Sequence, residues 1–372
     1  MPVRPPIEPQ LLSPVLKRQL RYPLLRWFRQ HQRPLPWRQT RDPYHIWISE
    51  IMLQQTRVQT VLPYYLNFLR HFPTLPSLAD SSLEPILLLW SGLGYYSRAR
   101  NLRETAGILQ ARYNGSFPAD YAQLRALPGI GDYTAAAILS IAFNQCHAVI
   151  DGNVTRVLAR LFQLDLNLSR NPGKKQVARL AQELISPSSP GDFNQALMEL
   201  GATLCTPHSP DCPACPWTSF CRARLAGAQG KIPQKKRRAA VEIVDQCVFV
   251  IHHRERILLF RRQGARHLRD FWDFPFLTPR SDEGSQLGLA KALKQEYGVE
   301  ARALRKLTFL EHGITRFRFR IQVWHAEIPP DRPPMVQGDH SRWVRESELG
   351  KYPMAVAARK IAAMVRNPDS TE

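Results

Sequence analysis

The chain has 372 residues, 44% of them apolar, which is enough for about two domains with real cores. Fifty-one Lys and Arg against 31 Asp and Glu give a formal charge of +20; this points to a polyanionic partner, nucleic acid first, and away from a membrane surface, since no basic amphipathic helix with a broad apolar face is present. No apolar run is long enough to cross a bilayer, the start MPVRPPIEPQ lacks a signal-peptide core, and four of the six cysteines are crowded together, so a reducing, cytoplasmic setting is expected rather than a secreted disulfide framework.

Residues 1–14 are Pro-rich and predict a loose arm. From Val15, the residues Leu16, Leu20, Leu24, Trp27 and Phe28 recur at spacings of three and four, which predicts a helix. Leu35-Pro36-Trp37-Arg38 interrupts it. The next helix starts near Pro43-Tyr44 and carries Ile46, Trp47, Ile48, Ile51, Met52 and Leu53, with Glu50 in its middle. A carboxylate in such a helix either points to solvent or is held for chemistry, because burial raises its pKa toward neutrality. Gln54-Gln55-Thr56 follow, amides suited to base edges or to a gap in a base stack, or simply an exposed helix end.

Further helices are predicted over 57–71, 83–91, 97–112, 120–127, 134–143, 153–162, 173–185 and 191–204. Gly92-Leu93-Gly94-Tyr95-Tyr96 makes a glycine-rich turn with two tyrosines that either wedge between bases or pack. Ser97 to Asn101 then offers Arg98 and Arg100 to phosphates. Leu127-Pro128-Gly129-Ile130-Gly131 reads as a hairpin, its glycines permitting a tight turn and a close backbone approach. Asp132 or Thr134 is expected to cap the following helix, whose free N–H groups would suit a DNA phosphate. Asp151 is either a functional acid or, with Gly152 and Asn153, an Asx turn and N-cap. Arg156 and Arg160 follow at helical spacing.

Cys205, Cys212, Cys215 and Cys221 form C-x6-C-x2-C-x5-C, four thiols within 17 residues. Such a set suits iron–sulfur or zinc. Structural zinc usually shows two C-x2-4-C knuckles and only one is present, which favours a [4Fe–4S] cluster. Cys146 and Cys247 sit in apolar stretches and are expected to be buried. Residues 222–238 carry seven Lys or Arg and no acid, a basic linker over 222–240 that either touches DNA backbone through Lys235-Lys236-Arg237-Arg238 or is merely solvated. From Val241 the period becomes 2. Val241, Ile243, Val248 and Val250, then Ile257 to Phe260, then Phe317, Phe319, Ile321 and Val323 read as strands, with Arg316, Arg318 and Arg320 on the opposite face of the last. Helices near 286–297 and the C-terminus complete an α+β domain.

LPWR at 35–38, DPYHIWISEIMLQQT at 42–56, GLGYYSRARNL at 92–102, LPGIGDYTA at 127–135, IDGNVTRVLAR at 150–160 and the cysteine spacing occur in one order. Together they resemble adenine DNA glycosylases of the MutY type, within the helix-hairpin-helix superfamily that includes endonuclease III. The resemblance is dense over residues 20–221, and Phe271-Trp272-Asp273-Phe274-Pro275 is similar to the WEFP element of that family's Nudix-like C-terminal domain. It implies an all-α helix-hairpin-helix glycosylase domain over 15–221 with an iron–sulfur loop at 205–221. The linker and an α+β Nudix-like (MutT-like) lesion-recognition domain over 241–372 would follow.

What the resemblance implies for function is base-excision repair of double-stranded DNA by a cytoplasmic, nucleoid-associated monomer. The N-glycosidic bond of adenine opposite 8-oxoguanine or guanine would be hydrolysed. Glu50 would be the general acid and Asp151 the carboxylate that stabilises the cationic sugar, two acids kept in different environments. Tyr133 and Asn153 would support them. Trp37, Arg38, Leu53 and Gln195 would line a pocket for the flipped adenine. Gln55 and Tyr95 would fill or wedge the opened stack, with Gln54 beside them, while Gly129 and Gly131 grip the backbone. Tyr133 stands where endonuclease III types carry a Schiff-base lysine, which implies a monofunctional enzyme leaving an abasic site.

Two departures from the family pattern stand out. The lesion-reading loop, usually Phe-Ser-His, is Ile314-Thr315-Arg316 here, which leaves the Thr315 hydroxyl and a bidentate reach of Arg316 to a guanine edge. Leu287 to Val299 holds only Glu296, without the glutamate cluster that binds magnesium, so no nucleotide hydrolysis is expected. The altered loop also motivates a second reading, excision of another base. A third, a non-catalytic lesion-binding protein, is opposed by the presence of both Glu50 and Asp151.

Overall fold

The computed structural model describes residues 12–164, 171–234, 240–263, 268–279, 285–314, 316–329, 331 and 340–366. Residues 1–11 of the expected arm, Lys235 to Arg238 of the linker and Thr315 lie outside the described residues. The chain divides into two compact units. One comprises residues 1–65, 69–79 and 104–237; the other comprises 66–68, 80–103 and 238–372.

The helices run α1 Pro14–His31, α2 Pro43–Leu53, α3 Val58–His71, α4 Leu75–Ala79, α5 Leu83–Trp90 and α6 Ser97–Tyr113. After these come α7 Tyr121–Arg125, α8 Asp132–Ile141, α9 Gly152–Leu161, α10 Asn171–Leu184, α11 Pro190–Thr203 and α12 Arg222–Leu225. Leu12, inside the expected 1–14 arm, is buried and donates its N–H to Glu183 Oε2 at 2.8 Å, while Ser13 caps α1. No described helix is long and apolar enough to cross a membrane.

The first unit is organised on α9 and α11. Val154, Val157, Leu158 and Leu161 recur at i, i+3, i+4 and i+7, and all four are buried. Each stabilises the fold by about 1.5–3 kcal/mol on leaving water. They pack in one core with Phe193, Ala196, Leu197 and Leu200 of α11 and Leu20, Leu24 and Phe28 of α1. Ala223 and Ile232 join this core, and Arg160 Nε donates to the Ile232 carbonyl at 2.9 Å. The segment from 222 to 232, expected as linker, is therefore packed on the first unit.

In the second unit β1 Glu242–His253, β2 Arg256–Arg261, β3 Trp272–Asp273 and β4 Phe276–Leu277 precede α13 Gln286–Tyr297. They are followed by β5 Ala303–Ile314, β6 Phe317–Glu327, β7 Ser341–Arg345 and α14 Val356–Arg366. The sheet order is β3-β2-β1-β6-β5, with β4 also on β1 and β7 on β2. β1 and β6 are parallel; the other pairs are antiparallel. Alternation along β1 sends Val248 and Val250 to a core shared with Ala358, Ile361 and Ala362 of α14. Cys247, Phe249 and Ile251 point to the other face, against Leu289 and Leu293 of α13. The result is an α+β unit with helices on both faces of the sheet.

Of the two cysteines expected to be buried, Cys247 is and Cys146 is exposed. Of the three arginines expected on one strand face, Arg318 and Arg320 share it, across from Ile243 and Asp245. Arg320 makes two bonds of 2.7 Å to Asp245. Arg316 precedes β6 and lies 3.2 Å from Glu242.

Candidate active site

α2 has no polar face. Tyr44, Ile46, Trp47, Ile48, Ser49, Ile51 and Met52 are all buried, and Asp42 caps the start by accepting from the Tyr44 N–H at 2.8 Å. Glu50 on such a helix is forced inward and is only 5% exposed. Burial raises its pKa from 4.5 to about 7, and the nearby Asp151 charge adds to the rise; a hydrogen bond from Tyr133 and the charge of Arg38 oppose it. Glu50 is thus poised to exchange a proton near neutral pH.

Tyr133 reaches it from the first turn of α8. Its hydroxyl donates to Glu50 Oε2 at 2.6 Å and sits 3.3 Å from Met198 Sδ on α11. Burial, then the Glu50 charge, pushes the phenol pKa far above its ordinary value, so Tyr133 stays a donor. The hairpin before α8 is fixed by Thr105 Oγ1 donating to the Pro128 carbonyl at 2.7 Å and Arg125 Nη1 donating to Ile130 O at 2.8 Å. Only Gly129, at φ 75°, occupies the left-handed region. Gly131 is extended, and a Cβ there would meet nothing within 4 Å.

Neither expected capping residue caps α8. The N-cap is Gly131, without a side-chain bond. Thr134 is buried and accepts from Gln54 Nε2 at 3.3 Å. Asp132, 78% exposed at its side chain, accepts instead from the Tyr121 hydroxyl and from Arg125 Nε.

Asp151 takes the N-cap geometry. Its Oδ1 accepts the Val154 N–H at 2.7 Å, the N-cap of α9, and its Oδ2 accepts Asn153 Nδ2 at 3.0 Å. Burial raises its pKa, while those bonds and the charge of Arg156 hold it back. Asn153 is locked in turn. Its Oδ1 accepts Arg156 Nη2 at 2.8 Å, and Arg156 also donates to the carbonyls of Gly201 at 2.7 Å and Cys205 at 2.8 Å. A Cβ at Gly201 would stand 2.6 Å from Asn153 Cβ, so only glycine lets α11 approach this closely.

The third acid was not anticipated. Glu199, fully buried on α11, accepts from Arg33 Nε and Nη2 and from Arg38 Nη2, each at 2.7 Å. Burial alone would raise its pKa, but the two guanidiniums outweigh burial and hold it at about 2. Gln195, Met198 and Glu199 fall at i, i+3 and i+4, one face of α11. Like Glu50, Glu199 is an acid on a helix whose other buried residues are mostly apolar. Arg38 thereby stands between two carboxylates, bonded to Glu199 and lowering the pKa of Glu50 by its charge.

The remaining expected residues are placed as follows. Trp37 is buried edge-on to Tyr65 at 5.1 Å. Leu53 is half-buried at the end of α2, and Gln195 half-buried on α11. Gln55 is exposed at φ 57°. Tyr95 and Arg316 belong to the second unit.

Cys212, Cys215 and Cys221 of the 205–221 loop each feel the charge of neighbouring thiols. Burial pushes Cys215 up to about 12, and the charges of Cys205, Cys221 and Cys212 all act in the same direction. Arg160 Nη1 lies 3.3 Å from Cys205 Sγ and donates to the Thr206 carbonyl at 2.7 Å. Among the described residues, no three His, Cys, Asp or Glu side chains close on a point where one metal ion would sit.

Residues 48–187 match the HhH-GPD superfamily of base excision DNA repair proteins, and residues 247–364 match the NUDIX domain. The chain is 35% identical to the adenine DNA glycosylase of Homo sapiens, over 91% of this chain and 72% of that protein. It is 40% identical to the adenine DNA glycosylase of Buchnera aphidicola subsp. Baizongia pistaciae, over 70% of this chain and 74% of that one. A solved thermostable thymine-DNA glycosylase superposes with a TM-score of 0.52 at 30% identity, covering 56% of this chain and 97% of that chain.

Proposed function

Since the chain belongs to the adenine DNA glycosylase family of base-excision repair enzymes, we propose that it hydrolyses the N-glycosidic bond of adenine paired with 8-oxoguanine or guanine in duplex DNA, as a monofunctional enzyme. The observation that carries this reading is the Glu50 carboxyl, raised to about 7 beside a second carboxylate, Asp151.

Adenine leaves well only when its ring nitrogen is protonated. Protonated Glu50 supplies that proton once the base has been flipped out of the stack. The sugar left behind is oxocarbenium-like, and ionised Asp151, held by Val154 N–H and Asn153, stabilises it electrostatically. Water then adds to the sugar C1′ and passes a proton to the Glu50 carboxylate, which completes the abasic site. Tyr133 offers a phenol bonded to Glu50 in place of an amine, so no Schiff base forms and the strand is not cut. Glu199 fixes the Arg38 guanidinium, which leaves its remaining N–H groups to read the edge of the base. On the opposite strand, Arg316 is the described side chain of the 314–316 loop suited to a guanine edge, and the partner preference rests on it.

Cys205, Cys212, Cys215 and Cys221 are the residues that would hold a [4Fe–4S] cluster, and four free thiols in one loop are the donor set it takes. Bound there, the cluster would clasp the 205–221 loop. Iron and sulfide analysis of the purified protein should give about four of each per chain. Free thiols suit a reducing cytoplasm, where the chain would act as a monomer.

Single-turnover reactions with A·8-oxoguanine, A·G and A·C duplexes and a pyrimidine-lesion panel test the reading. Adenine release with an intact, alkali-labile strand is expected. Release of a pyrimidine alone, or strand scission without alkali, would overturn it.

A further inference from the structure

The turn that carries Tyr95 is gripped from both ends inside the second unit, to which residues 80–103 and 238–372 both belong. The turn is conformationally costly. Gly92, Gly94 and Tyr95 all lie at positive φ, at 101°, 75° and 48°, and a non-glycine residue there persists only when its surroundings over-determine it. Tyr95 is nevertheless 46% exposed, a large aromatic presented outward.

The inner scaffold is Arg98. It was expected to meet phosphate, but it is buried, and its guanidinium donates to the carbonyls of Gly94 at 3.0 Å and of Leu93 and Tyr95 at 3.4 Å. It also lies 5.5 Å from the Tyr95 ring centre and 5.4 Å from that of Trp90. Arg100, the other expected phosphate contact, turns to Asp270 at 3.5 Å and to the Arg269 carbonyl.

The outer grip comes from the α+β part. Before the turn, Ser91 Oγ donates to the Met354 carbonyl and accepts the Met354 N–H at 3.2 Å, while Arg359 Nη1 donates to the Ser91 carbonyl. After it, the buried Tyr96 ring lies 4.2 Å from the ring of Phe271, which has no exposure. Tyr95 therefore stands between two anchored residues.

We propose that Phe271, Met354 and Arg359 are positioning residues for Tyr95, holding its ring where it can enter an opened base stack. The Nudix-like part thus acts on the mispair through this turn as well as through its own loops. The proposal rests on the reading of the chain as a glycosylase that opens duplex DNA.

The test uses the full chain and duplexes carrying 2-aminopurine beside the mispaired adenine, whose fluorescence rises when the base is unstacked. Arg359 is exposed, so Arg359→Met removes its bond without touching a core; Phe271→Leu, checked for an intact thermal transition, removes the ring contact. Each should weaken mispair binding by about fivefold to tenfold and reduce the fluorescence rise, with no further loss in a Tyr95→Ala background, because contacting residues couple. Losses that multiply fully with Tyr95→Ala, or single variants that bind like wild type, would refute the proposal. If wild type releases adenine but Tyr95→Ala binds normally, the positioning role fails and the glycosylase reading stands. If wild type releases no adenine, both fall.

Discussion

Replacing Tyr133 by Phe changes one bond at the acid and should move the pH profile of base release in a defined direction. The Tyr133 hydroxyl donates to Glu50 Oε2 at 2.6 Å and stabilises the ionised form, which is why it opposes the rise in the Glu50 pKa. Removing it lets that pKa climb. A hydrogen bond to a charged group contributes about 1.5–3 kcal/mol, or roughly one to two pH units. Wild type, with Glu50 at about 7, should lose rate tenfold per unit above that pH. At about pH 8.5 it retains only about 3% of its low-pH plateau. Tyr133→Phe, with its limb at about 8 to 9, should retain about a quarter or more of its own plateau at the same pH. Single-turnover adenine release from about pH 5.5 to about 9.5, normalised to each enzyme's plateau, separates this shift from any loss of positioning. A limb that stays at wild-type pH, or moves to lower pH, means that Glu50 is not the titrating acid.

Glu50→Gln should abolish adenine release and yet stabilise the fold above neutrality. A carboxyl raised from 4.5 to about 7 binds its proton more tightly folded than unfolded, so stability falls as pH rises through that window, by about 3 kcal/mol in all. Urea unfolding should show no difference from wild type near pH 4 and a gain of that order near pH 8.5; equal stability at both would contradict the burial of the charge. Glu199→Ala should do the reverse. It strands Arg33 and Arg38 and should cost about 3–5 kcal/mol at neutral pH. Because the Glu199 pKa is depressed to about 2, its contribution is present above its ordinary value and is lost as pH falls toward 2; a wild-type unfolding midpoint for the variant at pH 7 would count against the clamp.

Glu50 was legible because α2 is apolar all round, so its one acid has no wet face to choose. Asp151 was legible as a cap, and the cap geometry is also what aims its second oxygen at Asn153. Glu199 stayed hidden because its partners, Arg33 and Arg38, lie 166 and 161 residues away, and nothing local marks the meeting. Arg98 was misread for a related reason. A guanidinium near a glycine turn looks solvent-facing until the carbonyls that the turn exposes are counted. β5 escaped notice because it is an edge strand, mostly exposed, with a register shift between Lys306 and Thr308 that breaks its alternation. Cys247 to Ile251 of β1, covered on both faces, form an unbroken apolar run. The period of 2 comes from the less covered start of β6, where Phe317 and Phe319 alternate with Arg318 and Arg320.

The bonds between Ser91 and Met354 join residues 263 positions apart. A ribosome adding 5–20 residues per second makes Met354 roughly 13 to 50 seconds after Ser91. Through that interval the Ser91 hydroxyl lacks the Met354 backbone that it bonds in the folded chain, so one anchor of the turn is missing until that segment emerges. A chain that stops short of Met354 would therefore lose more than its C-terminal end. The turn at residues 91–96, already synthesised, would be left without the bonds that Met354 and Arg359 make to Ser91.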